Sequence, residues 1–126
     1  MLKVATLASG SSGNCAVVSD GKVHILIDVG ISARRVMTGL AELGIHVRDL
    51  AAILITHEHS DHICGLPVLC KQTAAEIYTA EGTAREICCR APGLEERFRV
   101  FDPGERFAVG DLVVGSFATS HDAPRR

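Results

Sequence analysis

From Thr56 to His62 the chain reads Thr-His-Glu-His-Ser-Asp-His. Residues 57–62 contain three imidazoles and two carboxylates. These are the donors that borderline divalent ions such as zinc, iron and manganese accept. A lone His-x-His is a weak signal, shared with many solvated loops. His57-x-His59-x-Asp61-His62 directly after an aliphatic run is a strong one. If the backbone stays extended past Thr56, the side chains of His57, His59 and Asp61 share one side, and Glu58 and Ser60 take the other. His57 and His59 can then share one ion, while Asp61 and His62 turn towards a second. Two ions about 3.5–4 Å apart can bridge a hydroxide, lower its pKa and stabilise the entering and leaving oxygens. Hydrolysis is the expected chemistry, with Glu58 outside the ligand set.

Two other positions join the cluster. His121 follows the apolar run 112–118 and would supply the third nitrogen of a site with His57 and His59. Asp28 ends the run 23–28, just before Val29-Gly30. An Asp there is often a turn former. Beside metal ligands its expected role is to orient a ligand imidazole through a hydrogen bond.

The elements that must position these residues alternate between strand and helix. Lys3 to Ala8 reads as a first strand, followed by the turn Ser9 to Asn14. Cys15 to Ser19 and Val23 to Asp28 read as a hairpin about Asp20-Gly21. Ile31 to Leu43 places Ile31, Val36, Leu40 and Leu43 on one helical face, with Ser32 as N-cap and Gly44 as stop. Ala51 to Thr56 reads as a strand buried on both faces. A second helix is expected from Asp61 or His62 to Lys71, a strand over Glu76 to Thr79 and a helix over Glu81 to Arg90. Arg99 to Phe101, Arg106 to Ala108 and Leu112 to Ala118 complete the strands, with Gly-containing turns between them. The expected fold class is α/β, a mixed sheet with flanking helices, in a single domain spanning residues 1–126.

Composition narrows the function classes. Hydrophobic residues make up 47% and charged residues 22%, which argues against disorder. Aromatics are 4% and Trp is absent, so the core must be aliphatic. A formal charge of −2 argues against a strongly basic nucleic-acid surface but does not exclude nucleic acid, because bound divalent cations would add local positive charge. The arginines (Arg34, Arg35, Arg85, Arg90, Arg97, Arg99) are scattered and read as solvated faces. The turn Ser9 to Asn14 is glycine-rich, but a strand follows it, so a phosphate-cradling loop before a helix is not indicated. No apolar run is long enough to span a bilayer, and the N-terminus reads as a strand rather than a signal peptide. Five irregularly spaced cysteines suit a reducing cytoplasm.

Taken together, Asp28-x-Gly30, His57-x-His59-x-Asp61-His62 and His121 resemble the metallo-β-lactamase superfamily. Leu7 to Cys15 and Phe117 to Ala123 resemble its YycJ/WalJ-like branch, whose members are regarded as metal-dependent phosphodiesterases, including DNA exonucleases. The resemblance implies the N-terminal half of an αβ/βα sandwich built from two similar halves. It implies two divalent metal ions, zinc first, with manganese or iron as alternatives. His57, His59 and His121 would hold one ion, and Asp61 and His62 the other. Asp61 and His62 are the expected catalytic pair, Asp61 also orienting the nucleophile, with Asp28 supporting from behind. In this setting Ser11, Ser12 or Asn14 would border the substrate phosphate.

The implied substrate is a phosphodiester, with DNA foremost and no membrane involved. Thioester or lactone hydrolysis on the same fold is one alternative, and a non-catalytic metal-binding remnant is another. The family pattern also requires a bridging Asp and a last His from a C-terminal half. This sequence has neither after Asp122, so a truncated domain is expected. Its open sheet face would be apolar, available to the missing half or to self-association.

Overall fold

The structure, a computed structural model, describes residues 2–9, 13–56, 63–102 and 104–115. These residues form a six-stranded sheet with helices on one face and a two-stranded hairpin on the other. The strands are β1 Lys3–Ala8, β2 Cys15–Ser19, β3 His24–Ile27, β4 Leu50–Leu54, β5 Glu76–Thr79 and β6 Phe98–Val100, adjacent in that order. β1, β2 and β3 pair antiparallel, whereas β3 to β6 run parallel. The C-terminal ends of the parallel strands therefore share one edge of the sheet. In open α/β sheets that edge is where ligands bind.

The inner face has a physical signature in the pairing register. Val17, Leu26, Ile53, Ile77 and Phe98 stand in line across β2 to β6 and are all buried. Helix α1 (Ala33–Glu42), α2 (Leu66–Leu69) and α3 (Glu81–Arg90) cover this row with Val36, Leu40, Leu66, Leu69, Ala84 and Ile87. Burying each large aliphatic side chain stabilises the fold by about 1.5–3 kcal/mol. α1 forms where the sequence predicts it. Ser32 Oγ accepts from Arg35 N at 3.2 Å. At the other end Gly44 N donates to Ala41 O and Ile45 N to Leu40 O, the paired closure of a Schellman motif.

The outer face corrects the expectation of an open apolar sheet. β7 (Arg106–Val109) and β8 (Leu112–Gly115) form a hairpin. Val109 of this hairpin packs with Ile25 and Ala52, and all three are buried. Phe107 stacks on Tyr78 at 4.6 Å between ring centroids. Among the described residues the β1 side of this face is open, with Val4 68% exposed.

Other boundaries differ for local reasons. β3 stops at Ile27 because Asp28 takes a left-handed backbone, φ 61°. β4 begins at Leu50 and ends at Leu54, short of Thr56. Within 63–71 the expected long helix is interrupted: Ile63 is helical, Cys64 and Gly65 form a turn, and α2 covers Leu66–Leu69; residues 61 and 62, where it was expected to start, are outside the described residues. β8 ends at Gly115, and residues 116–118 of the expected strand are likewise outside them.

Arg97 also departs from its expected solvated face. Its guanidinium donates to the carbonyls of Cys70, Thr73 and Ala75 at 2.8–3.2 Å. It fastens the segment after α2 to the start of β5. No helix among the described residues is long and apolar enough to cross a membrane.

Candidate metal centre

Asp28 is the expected site residue that the structure describes. His57, His59, Asp61, His62 and His121 lie outside the described residues, as do Ser11 and Ser12. Among the described residues no group of three His, Cys, Asp or Glu side chains is placed to hold a metal. What the structure defines is the frame at both ends of the donor-rich segment.

The entry to that segment is fixed by Asp28. Its carboxylate is 5% exposed and accepts from Thr56 N at 2.8 Å and from Thr56 Oγ1 at 2.7 Å. Asp28 N donates to Leu54 O at 2.7 Å. The left-handed backbone at Asp28 is one that Asp tolerates better than most residues. It turns the carboxylate across the end of β4. A second clasp comes from β5, where Ile55 N donates to Tyr78 O at 3.0 Å and buried Thr79 Oγ1 donates to Ile55 O at 2.8 Å. Ile55 and Thr56 are thus held from both neighbouring strands.

The exit is fixed on the loop that carries Asp28. Gly65 N donates to Val29 O at 2.9 Å, and Cys64 Sγ lies 3.0 Å from Gly30 O. A Cβ on Gly65 would run into the Ile31 carbonyl, so only glycine allows this approach. The same loop receives the Ser9 to Asn14 turn. Gly30 N donates to Asn14 O at 2.8 Å, and Gly13, φ +135°, packs against Gly30 O. Residues 28–31 are the hub to which both neighbouring loops are tied.

Cys15, at the start of β2, is buried at this same end. Burial first, and then the Asp28 charge, push its thiol up to about 12, so it is neutral at physiological pH. Sequence reasoning assigned no role to Thr79, Gly65 or Cys15, and quoted Thr56 only as the residue before the histidines. The usable signal was slight: Thr56 adjoins the first histidine.

Comparison with known proteins decides the family. The model of the Metallo-beta-lactamase superfamily matches residues 8–123. The chain belongs to the metallo-beta-lactamase superfamily. It is 40% identical over 124 residues to the exodeoxyribonuclease WalJ of Streptococcus pneumoniae serotype 2, covering 96% of this chain and 46% of that protein. It is 36% identical over 124 residues to the exodeoxyribonuclease YycJ of Bacillus anthracis, covering 97% and 47%. The chain spans about half the length of these curated relatives.

The fold agrees with that membership. The Rm3 metallo-beta-lactamase superposes with a TM-score of 0.76 at 23% identity, over 92% of this chain and 48% of that one. The frame built by Asp28, Thr56 and Gly65 is thus a feature of a metallo-beta-lactamase-type chain.

Proposed function

We propose that this chain forms the metal-holding part of a metal-dependent phosphodiesterase that acts on DNA, an exonuclease. The observation that carries the reading is the clamped frame around residues 57–62, held on one side by the Asp28–Thr56 bonds and on the other by Gly65 on Val29. A segment so rich in imidazole and carboxylate gains from rigid ends, because a ligand set held in place loses less entropy on binding an ion. The names of the WalJ and YycJ relatives support the substrate class.

The donor set fits a borderline divalent ion, with zinc first. His57, His59 and His121 would hold one ion, and Asp61 and His62 a second. Ions bound there would supply Lewis acidity towards phosphoryl oxygen and a water of lowered pKa. Asp61 would orient the attacking water, with His62 as its partner in the catalytic pair. Asp28 would act through Thr56, fixing the backbone that leads into the histidines. Residues 1–126 act as one domain in this reading, in the cytoplasm.

A substrate panel tests the proposal. Zinc- or manganese-loaded chain is incubated with end-labelled linear DNA and, separately, with a thioester. Release of nucleotides from the DNA end, stopped by a chelator and by His59→Ala, is expected. Cleavage of the thioester with intact DNA would overturn the reading.

A further inference from the structure

Helix α1 rises from the edge of the sheet that carries the candidate site. β3 runs into Asp28, the loop continues through Ser32, and α1 starts at Ala33. Its first turn holds no acidic residue but carries Arg34 and Arg35, both exposed. Cations in a first turn oppose the helix dipole, so helix stability does not account for them. The core does not account for them either, because Ala33, Val36 and Leu40 supply the buried face.

Their environment and position together set them apart from the other arginines. Arg85, Arg90 and Arg99 form ion pairs with Glu81, Glu86 and Glu76. Arg97 is committed to backbone carbonyls. Neither Arg34 nor Arg35 has an ion-pair partner among the described residues. Arg48 and Arg106 also lack an ion pair among the described residues, but Arg48 precedes β4 at the far edge of the sheet and Arg106 opens β7 of the hairpin, whereas Arg34 and Arg35 follow the loop that carries Asp28. Two guanidinium groups are therefore available to a ligand, a few residues beyond Asp28.

We propose that Arg34 and Arg35 form a basic lip that grips the phosphate backbone of a nucleic-acid strand as it approaches the candidate metal centre. The inference rests on the DNA-directed function proposed above. Guanidinium forks match phosphate oxygens in a bidentate way. Consecutive residues on a helix project about 100° apart, so the two forks take separate phosphates. A strand meets that requirement and a lone phosphate ester does not. Such contacts set position on the backbone and carry no base sequence.

The test is the salt dependence of binding. Fluorescence anisotropy of a labelled oligothymidylate is titrated with the full chain over a salt series. On single strands each phosphate contact contributes a slope of about 0.7 in log K against log salt, so Arg34→Ala/Arg35→Ala is expected to flatten it by about 1.4. Binding at about 0.1 M salt should weaken on the order of tenfold. Arg34→Lys/Arg35→Lys should restore most of the slope, and circular dichroism should show every variant folded.

An unchanged slope and affinity in the alanine variant, while the native chain binds, would overturn the lip and leave the DNA reading standing. Absence of oligonucleotide binding by the native chain at every salt concentration would overturn both. Equal loss of binding to polyglutamate would reassign the pair to an acidic protein partner and also overturn the proposal.

Discussion

The β2–β3 turn and the loops at the opposite end of the sheet are held by different kinds of bond. At the β2–β3 turn the stabilising contacts are local: the Asp20 carboxylate accepts from Lys22 N at 2.9 Å and Val23 N at 2.7 Å. At the opposite end Asp28 reaches Thr56, Thr79 reaches Ile55 and Cys64 reaches Gly30, across 28, 24 and 34 positions of sequence. The first end is a turn that a short peptide could begin to form. The second exists only when β3, β4 and β5 are already side by side. A metal centre assembled there is coupled to the fold as a whole, so damage to the frame should affect stability and metal binding together.

The largest break in this contrast should come at Gly65. Gly65→Ala drives a methyl group into the Ile31 carbonyl, and a cost of about 3 kcal/mol or more is expected in chemical denaturation. Asp28→Ala should come next. Removing a carboxylate that accepts two bonds from Thr56 should cost about 2–3 kcal/mol. Zinc affinity should fall about 10–100-fold, measured by competition with a chelating dye. Thr79→Val keeps the shape but strips the donor from Ile55 O, with about 1–2 kcal/mol lost in the same denaturation assay. Asp20→Ala should give the smallest shift and leave zinc affinity unchanged, because its bonds are local and remote from the frame.

The buried thiol gives a pH signature for the site end. The Cys15 pKa is raised from 9.0 to about 12. The folded state therefore retains its proton while the unfolded chain loses it. That contribution is fully present below pH 9 and is lost as the pH climbs towards 12. Stability should fall there by up to about 1.4 kcal/mol per pH unit from this group. Cys15→Ala should flatten the decline in alkaline thermal melts, relative to its own stability near neutrality.

The same contrast explains how much of the molecule was legible in the sequence. β5 and α3 have the predicted limits, and α1 has its predicted N-cap, because periodicity, caps and turn residues act over a few positions. Asp28 was marked as a support, but the bond it makes could not be read from sequence. Its partner, Thr56, is defined only by the parallel register of β3 and β4. Arg97 was misread for the same reason. Its acceptors, Cys70, Thr73 and Ala75, come together only through tertiary structure. Gly65 gave no sign of the Ile31 carbonyl waiting beside it.

The central claim is that the imidazole- and carboxylate-rich segment after Thr56 binds a divalent ion. Metal content of the purified, zinc-loaded chain after exhaustive dialysis, compared with that of His59→Ala, tests it most directly. Tightly retained zinc is expected in the native chain and its loss in the variant, with both folded by circular dichroism. Equal zinc retention in the two proteins would contradict it.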